Sequence, residues 1–408
     1  MTDLFWPGDE RADDLFGDHA WLTAMVEVEQ AWLDALAGAG TAPAGTDLSG
    51  LVGPDDLAAL AGAAEGTGNP VPTLVRLLRE RAHGPGAAWV HRGLTSQDVV
   101  DTALMLCARD ALDRVRDDMR HQIGSLAALV RAHRDTVMAA RTLTQHAVPT
   151  TFGVKAAGWL GGTLDAAEAV GRIRTPVQIG GAAGTLSAAV DLVRGRGSAD
   201  PTGAVSALVA TVSDRLGLAP ADPWHTARRT VTALGDALVG CTDVWGRTAA
   251  DVATLSRPEI AEVTEPAAAG RGGSSTMPHK RNPVLSVLVR RAAIAAPPLA
   301  STLHLAAALA VDERPDGAWH TEWATLRTLA RRTVVAGSQT RELLAGLTAN
   351  TERMAATAAA ARTDLTAEAR AIAALTGADP ADDTPLGVSD VLIDRVLDRA
   401  HRHLEADS

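Results

Sequence analysis

The stretch from Gly86 to Val148 contains no proline and is interrupted only by Gly93 and Gly124, which constrains the fold more than any other feature. Strands rarely reach this length, so after an initial loop the stretch is compatible with one very long helix. Apolar residues recur within it at spacings of three and four, which places them in one stripe that must pack against other helices. The stripe consists of Leu104, Ala108, Leu112, Val115, Met119, Ile123, Leu126 and Val130.

Two later proline-free segments show the same pattern. The segment 225–257 carries apolar residues at helical spacing, and a third candidate helix runs from Val284 to about Ala296. Alternating strand patterns are nearly absent, Tyr is missing, Phe occurs three times, and abundant Ala would let helices approach closely. We therefore predict an all-α fold built on a long central helical bundle.

Short segments rich in glycine and proline mark the connections between the helices. The long central segments suggest a helical bundle over about 96–345, with an N-terminal helical region over 1–95 before it and a short C-terminal helical region over 346–408 after it. The connecting segments are GTGNP (66–70), HGPG (83–86), QIGGAAG (178–184) and AAAGRGG (267–273).

The composition excludes several classes of function. A net charge of -11, with no basic run interleaved with aromatic residues, argues against nucleic acid and anionic membranes as partners. Only Cys107 and Cys241 are present, without CxxC spacing, which argues against a disulfide framework and a zinc site. The acidic N-terminus does not resemble a signal peptide, and we expect a soluble, cytoplasmic protein. An acidic chain can still bind an anionic substrate where a few Arg and Lys residues converge.

The segment GRGGSSTMPHKRNP, residues 270–283, carries the most chemical information. Its three glycines allow unusual backbone angles in a loop that can move, and Lys280 and Asn282 can hold a carboxylate by charge and hydrogen bonds. The GxxxxGK[ST] arrangement of a phosphate-binding loop is missing. From these residues alone, a mobile surface loop with ordinary serines is an equally good interpretation.

GSSTMPHKRNP resembles the best-known motif of the fumarase/aspartase superfamily, which includes adenylosuccinate lyase, argininosuccinate lyase and 3-carboxy-cis,cis-muconate cycloisomerase. The resemblance implies that Ser274, and not Ser275, acts as the catalytic base from a flexible lid. It also implies that Lys280 and Asn282 bind a substrate carboxylate.

HRGLTSQDVVDTA, residues 91–103, is similar to the superfamily region in which a Thr-Ser pair binds substrate at the start of a central helix. The resemblance implies that His91, Thr95 and Ser96 bind substrate. A helix N-terminus offers free backbone N–H groups and a positive dipole to an anion. A helix cap without a ligand would show the same residues.

RTLTQHAVPTTFGVK, residues 141–155, resembles the cycloisomerase branch, and Gln145 and His146 are implied as a substrate ligand and a catalytic or orienting residue. Fumarase and adenylosuccinate lyase carry RTH here, and that His assists the leaving group, whereas this chain has Leu143. An amine or hydroxide leaves poorly unless it is protonated, but a carboxylate, whose conjugate acid has a pKa of about 4, can leave as an anion. Leu143 thus predicts a weakly basic leaving group. A lone His near a Pro is also common as a structural residue.

Three further segments resemble cycloisomerase sequences and extend the similarity over most of residues 10–345: 178–186, 221–229 and 313–323. The last implies Arg314 as a residue of the substrate pocket. Trp319 and Trp323, at i and i+4, are interpreted as a packed helix face. Residues 227–230 depart from the branch pattern of a Gln and an Arg-Asp-Arg stretch, so substrate contacts are expected to differ there.

The resemblance implies a homotetramer with active sites shared between subunits, a small polycarboxylate substrate, and neither cofactor nor metal. The expected reaction is lactonisation of 3-carboxy-cis,cis-muconate to 4-carboxymuconolactone in the protocatechuate branch of the beta-ketoadipate pathway, with Ser274 moving the proton. A lyase that expels nitrite from nitrosuccinate, adenylosuccinate lyase and a non-catalytic structural protein of the same fold are the alternatives. The intact Ser274, Lys280 and Asn282 argue against the last.

Overall fold

The computed structural model describes residues 3–274, 276–377 and 386–406, and it confirms the prediction of an all-α fold, since 65% of the chain is helical. Short 3-10 turns lie at Asp9–Ala12, Pro54–Asp56 and Ala87–Trp89. The α-helices are α1 Asp18–Gly38, α2 Leu57–Thr67, α3 Val71–Arg81, α4 Ser96–Ala132, α5 Phe152–Gly171, α6 Ser187–Gly195, α7 Pro201–Leu216, α8 Arg229–Leu255, α9 Val284–Ala308, α10 Gly317–Ala345, α11 Thr351–Ala360, α12 Arg362–Leu365, α13 Ala367–Thr376 and α14 Ser389–Ala406.

The longest helix, α4, buries the whole apolar stripe predicted from the sequence. Its 37 residues span about 55 Å at 1.5 Å per residue. The expectation that the helical stretch could continue towards Val148 is wrong beyond Ala132, because a hairpin follows. Strand β1, Val137–Thr142, pairs antiparallel with β2, Gln145–Thr151. Frequent β-branched residues favour strands here, and no helix accommodates the positive φ angles of Leu143 and Thr144, 48° and 73°.

The helix predicted from Val284 to about Ala296 continues through Pro297 and Pro298 to Ala308. The prolines remove backbone donors, but Ala296, Ala300 and Leu303 are buried, so packing on both sides maintains the helix. By length and composition alone α9 could cross a membrane, and 33% of its most apolar window is buried. One such helix is weak evidence for a membrane span, because core helices of soluble proteins satisfy the same criterion. A second short antiparallel pair joins β3, Val263–Thr264, to β4, Thr348–Ala349.

The chain divides into two compact units. Unit 1 comprises residues 1–114, 172–236 and 297–334, and unit 2 comprises 115–171, 237–296 and 335–408. Helices α4, α8, α9 and α10 each contribute residues to both units. The three consecutive regions predicted at 1–95, 96–345 and 346–408 remain a proposal.

Unit 1 contains a buried ionic network. The Arg228 guanidinium contacts Asp101 at 2.7 Å and Glu322 at 2.5 Å, and the Trp319 indole donates to Asp101 at 2.9 Å. Buried charges are stable only when they are paired and hydrogen-bonded, as these are. The network ties the first turns of α4 and α8 to α10.

In unit 2 a single amide joins three helices. Gln122 of α4 accepts a hydrogen bond from the Trp245 indole of α8 at 2.7 Å and donates to the carbonyl of Gly337 in α10 at 2.9 Å. Helix α14 packs against α5, where Arg399 bonds to Asp165 and Glu168. The short C-terminal region is therefore anchored to unit 2.

Candidate functional site

The start of α4 is fixed by the buried carboxylate of Asp98. This carboxylate accepts the backbone N–H groups of Thr95, Gly180 and Gly181 at 3.0, 2.9 and 2.9 Å. Thr95 occupies the cap position and Asp98 the third helical position, an arrangement in which an acid satisfies the free donor of the cap residue. The contact also holds the glycine-rich segment 178–184 against the first turn of α4, so both have one defined position.

Arg314 completes a positively charged corner around Thr95. Its guanidinium donates to the Thr95 hydroxyl at 2.5 Å and to the Ala182 carbonyl at 3.1 Å. Arg314 is exposed, and the acceptors of these two bonds are a hydroxyl and a carbonyl oxygen, which carry no charge. These bonds therefore leave the charge of Arg314 available to an anion. Together with the α4 dipole and the half-buried Ser96, this guanidinium offers positive charge and hydrogen-bond donors to an anion.

His91, another predicted substrate ligand of unit 1, is paired with a buried carboxylate. Its backbone is left-handed, with φ 63°, and its Nδ1 lies 2.6 Å from the buried Glu29 carboxylate. Burial alone would lower the pKa of His91, but the charge and hydrogen bond of Glu29, with the charge of Asp98, outweigh burial and raise that pKa. The Asp98 charge thus acts on His91 while one of its oxygens accepts the Thr95 N–H, so Asp98 links two of the predicted ligands.

The β1–β2 hairpin carries the second predicted group. Its two-residue turn exposes Leu143, which is 96% accessible, and Gln145 and His146 are exposed at the start of β2. Leucine with positive φ is rare, and such backbone strain is common at functional sites. Leu143 therefore offers no proton donor at this position, as expected, but it does not line an apolar wall within the described chain.

His146 lines a cavity of about 680 Å³ that lies entirely in unit 2, together with residues of α8, α11 and α12. Arg353 donates to the carbonyl oxygens of Glu259 and Ile260, so these bonds leave its charge unneutralised. Arg141 is instead neutralised by a bidentate pair with Glu262 at 2.9 and 2.8 Å. Three arginines and two carboxylates are among the residues that line the cavity, which are Arg141, Thr144, His146, Thr254, Arg257, Glu259, Ile260, Arg353, Ala356, Thr357, Ala360, Ala361 and Asp364.

The loop that carries Ser274 is anchored at both ends. Arg271 contacts Glu342 at 2.5 Å, and the Asn282 backbone and side-chain N–H groups donate to the Gly272 carbonyl at 2.8 and 3.1 Å. Gly272 has φ 70°, and a Cβ there would lie 2.6 Å from the Asn282 carbonyl oxygen, so only glycine fits. Asn282 therefore closes the loop in this structure, and the exposed Lys280 lies between the two anchors.

The Ser274 hydroxyl oxygen accepts two weak backbone contacts, from the N–H groups of Thr276 at 3.4 Å and Met277 at 3.2 Å. Two N–H dipoles directed at one oxygen stabilise negative charge on it, which favours a serine that gives up its proton. Ser275 lies outside the described residues. Within the described part of unit 2, Ser274 and His146 are not hydrogen-bonded to each other.

Sequence reasoning missed the groups that support Thr95. The Gln178 amide donates to Asp98 at 3.2 Å and accepts the backbone N–H of Trp224 at 2.6 Å. The His225 ring lies 3.1 Å from the Gln178 side-chain nitrogen. The segments 178–186 and 221–229 were recognised as similar to cycloisomerase sequences. Nothing in them indicated that both lie against Asp98. The packed pair of Trp319 and Trp323 is confirmed, with ring centroids 4.7 Å apart.

Comparison with known proteins gives consistent results. A family model described as lyase matches residues 71–296. Nitrosuccinate lyase of Streptomyces davaonensis is 43% identical over 83% of this chain and 73% of that protein. The 3-carboxy-cis,cis-muconate cycloisomerase of Bradyrhizobium diazoefficiens is 38% identical over 83% of this chain and 74% of that protein. The crystal structure of the 3-carboxy-cis,cis-muconate lactonizing enzyme from Pseudomonas putida has a TM-score of 0.82 at 28% identity, covering 95% of this chain and 96% of that chain.

Proposed function

Because this chain belongs to the lyase family of the fumarase/aspartase superfamily, we propose that it eliminates nitrite from nitrosuccinate to give fumarate. The observation that carries the choice of leaving group is Leu143, which stands where lyases of basic leaving groups have a histidine. Nitrite is a weak base and departs as an anion without a proton donor. The 43% identity to a nitrosuccinate lyase supports the same choice.

In the proposed step, the Ser274 oxygen removes a proton from the carbon next to one substrate carboxylate. The C–H electrons first collect on that carboxylate as an aci-carboxylate. In the proposed active site, which is shared between subunits, Thr95, Ser96 and Arg314 of one copy and Lys280 of another would stabilise it electrostatically. These electrons then form the carbon–carbon double bond, and nitrite leaves with the electrons of the C–N bond. The proton remains on Ser274 until solvent removes it.

The other predicted residues are assigned to binding and orientation. Gln145 and His146 orient the substrate from the hairpin, and His91, held by Glu29, contributes to substrate binding. Asn282 binds a carboxylate only after its amide leaves the Gly272 carbonyl, so substrate binding would loosen the closure of this loop. This exchange would couple occupation of the site to the position of Ser274.

Lactonisation of 3-carboxy-cis,cis-muconate, the reaction expected from the sequence, is the second candidate, and the structural similarity to a lactonizing enzyme favours it. Its leaving or adding group is the substrate's own carboxylate, so Leu143 fits it equally well. The substrate carries three carboxylates, however, and Arg228, in the segment that departs from the cycloisomerase pattern, is buried and neutralised by Asp101 and Glu322. Fewer free cations favour a substrate with two carboxylates.

We also propose that the active enzyme is a cytoplasmic homotetramer. Helix α9 exposes Val287 at 54%, Ile294 at 74% and Leu305 at 62%, which is costly in water unless another surface covers them. A second copy of this chain is the proposed cover, because an apolar helix face of this length suits a symmetric helix bundle. Light scattering coupled to gel filtration tests the mass, and Ile294→Glu should lower it.

A substrate panel tests the reaction. Purified protein is mixed separately with nitrosuccinate, 3-carboxy-cis,cis-muconate, adenylosuccinate, and fumarate with ammonia, and turnover is followed by ultraviolet absorbance, with a colorimetric nitrite assay for the first. Nitrosuccinate should be consumed fastest, with nitrite and fumarate formed in equal amounts. Fastest turnover of adenylosuccinate would overturn the proposal. No turnover of any substrate would favour the non-catalytic alternative.

A further inference from the structure

A buried carboxylate on α1 faces the His91 ring. Glu29 is fully buried, and its Oε1 lies 2.6 Å from His91 Nδ1, while the imidazole keeps 19% of its side-chain surface accessible. In the part of the chain that the structure describes, the other Glu29 oxygen has no hydrogen-bond partner. A buried carboxylate is costly unless it is paired, so the bond to His91 offsets part of the cost of burying Glu29.

The main chain holds the His91 ring in one position. Arg79 donates from Nε and Nη2 to the Val90 carbonyl at 3.2 and 2.7 Å. The Trp32 indole donates to the Arg92 carbonyl at 2.7 Å. The main chain is thus fixed on both sides of His91, and these contacts maintain its left-handed φ of 63°. The ring is therefore oriented before any ligand binds.

The contact with Glu29 leaves one ring nitrogen of His91 for another partner. An ionised carboxylate accepts but cannot donate, so Nδ1 carries a proton in both the neutral and the charged ring. Nε2 has no partner among the described residues, and it does not belong to their fully buried atoms without a partner. Nε2 is therefore the atom that gains and loses the proton, and only its protonated form can donate to an anion.

The charged groups that act on the His91 ring belong to three other helices: Glu29 to α1, Asp98 to α4 and Arg79 to α3. Burial and the charge of Arg79 oppose protonation of the ring, but the two carboxylates outweigh them and raise the pKa of His91. With its proton the Glu29–His91 pair has no net charge, and without it the pair is an anion. Since Asp98 also accepts the Thr95 N–H, an anion bound near Thr95 is repelled by the deprotonated pair.

We propose that the Glu29–His91 pair couples substrate binding to the uptake of a proton from solvent. A small dicarboxylate binds preferentially to the protonated pair, in which Nδ1 donates to Glu29 and Nε2 donates to a carboxylate oxygen of the ligand. Glu29 is a positioning residue, because it acts through the imidazole and does not touch the ligand. The ligand is taken to be a dicarboxylate, so this role rests on the proposed function.

Succinate, a dicarboxylate without a leaving group, is the probe. Calorimetric titration of the full-length protein from about pH 6 to about pH 9, in two buffers of different ionisation enthalpy, gives the Kd and the number of protons taken up. One charge-assisted hydrogen bond corresponds to about a tenfold preference for the protonated pair, and hence to a maximum uptake of about half a proton per site. The maximum should lie above about pH 6.5, the ordinary pKa of histidine, and Kd should rise about tenfold across it.

Glu29→Gln keeps the shape of the side chain and an oxygen for the Nδ1 proton but removes the charge. The uptake maximum should therefore move to lower pH, and succinate should bind as tightly as to the parent only at low pH, whereas a merely structural role would weaken binding equally at every pH. His91→Asn should abolish this uptake, and asparagine tolerates the left-handed backbone. The matched control is His19→Asn, since His19 lies on the same helix as Glu29 and is paired with Asp14 at 3.3 Å, and it should leave the uptake unchanged.

Succinate binding without proton uptake, or with the same uptake in His91→Asn as in the parent, would overturn the coupling and leave the proposed reaction standing. An uptake maximum at the same pH in Glu29→Gln as in the parent would remove Glu29 from it. If Glu29→Gln does not fold, Glu29→Asp draws the carboxylate away from Nδ1 and should move the maximum in the same direction. Absence of succinate binding to the parent would overturn the coupling together with the proposed dicarboxylate substrate.

Discussion

Arg314 donates a hydrogen bond to the Thr95 hydroxyl at 2.5 Å, although the two residues are 219 positions apart. The contact joins two segments that the sequence implicated separately in substrate binding, one before α4 and one before α10. It concentrates positive charge at a helix N-terminus, where an anion is already favoured. The two side chains should therefore act as one binding unit.

We expect Arg314→Met and Thr95→Val each to raise KM by about tenfold or more, which corresponds to the free energy of one hydrogen bond to a charged group. The double variant should cost little more than either single variant, because each removes the same contact. Steady-state kinetics of the four proteins test this. Arg76→Met, which removes an exposed pair with Glu80 in the same unit, is the control and should leave KM unchanged. Fully additive losses would show that the two residues act independently.

Ser274→Ala should lower kcat by at least about a hundredfold while leaving KM and the unfolding midpoint close to those of the parent, because only the proton-transfer group is lost. Lys280→Met should instead impair KM and kcat together, since its charge acts on bound substrate and transition state. Ser256→Ala is the matched control, since Ser256 lies in unit 2 outside the loop and its hydroxyl donates to the Ala253 carbonyl of the same helical turn. A Ser274→Ala enzyme within tenfold of the parent would remove Ser274 from the mechanism.

The raised pKa of His91 predicts how stability depends on pH. Protonated His91 is favoured in the folded state by Glu29, so its contribution is complete below the unfolded pKa of about 6.5 and is lost as pH rises through the higher folded pKa. The free energy of unfolding of the parent minus that of His91→Gln should therefore fall as pH rises from 6 to about 8. Denaturant titrations at several pH values measure it. A difference that is constant or grows with pH would contradict this interpretation.

Arg228→Met should destabilise the protein by about 3–5 kcal/mol, because it leaves the Asp101 and Glu322 carboxylates buried without their cation. Burial already raises the pKa of Glu322 despite its bonds to Arg228, so protonation of Glu322 should recover part of the loss at low pH. Urea titrations of the parent and variant at pH 5 and pH 8 test both statements. The exposed-pair variant Arg76→Met should change stability by less than about 1 kcal/mol.

Leu143→Ala should change turnover of the preferred substrate by less than about threefold, since the side chain is exposed and donates no proton. Leu143→Gly should be at least as stable as the parent, because glycine adopts the observed φ of 48° without strain. Thermal unfolding and turnover of both variants provide the measurement. If adenylosuccinate were instead the better substrate and its turnover were lost in His146→Gln, an amine-releasing mechanism with His146 as the acid would be correct.

The long helices could be predicted from the sequence, because helical spacing of apolar residues is a local pattern. The apolar stripe from Leu104 to Val130 follows helical spacing, so α4 and its buried face were predictable. The hairpin was not, because the stretch without proline continues through it and the positive φ angles of Leu143 and Thr144 have no glycine signature. Chain spacing also gave no sign that Asp98 would face Gly180, since that contact depends on tertiary packing.

The same limit applied to the charged residues. Arg228 was noticed only as a departure from a pattern, yet it lies at the centre of a buried network with Asp101 and Glu322, more than ninety residues away on either side. Motif resemblance assigned roles to Ser274 and Lys280 because those residues lie close together in the chain. Supporting residues such as Glu29 and Gln178 come from distant segments and become recognisable only when the chain is folded.

The interleaving of the two units along the chain has a consequence for synthesis on the ribosome. Unit 1 takes its last segment from residues 297–334, and unit 2 draws on residues beyond 335, so neither can be completed from the first half of the chain. The nascent polypeptide therefore carries part of the apolar stripe of α4 without its full set of packing partners until some two hundred further residues are added. Such delayed closure favours transient exposure of apolar surface, and expression of this protein should respond strongly to chaperone supply and to growth temperature.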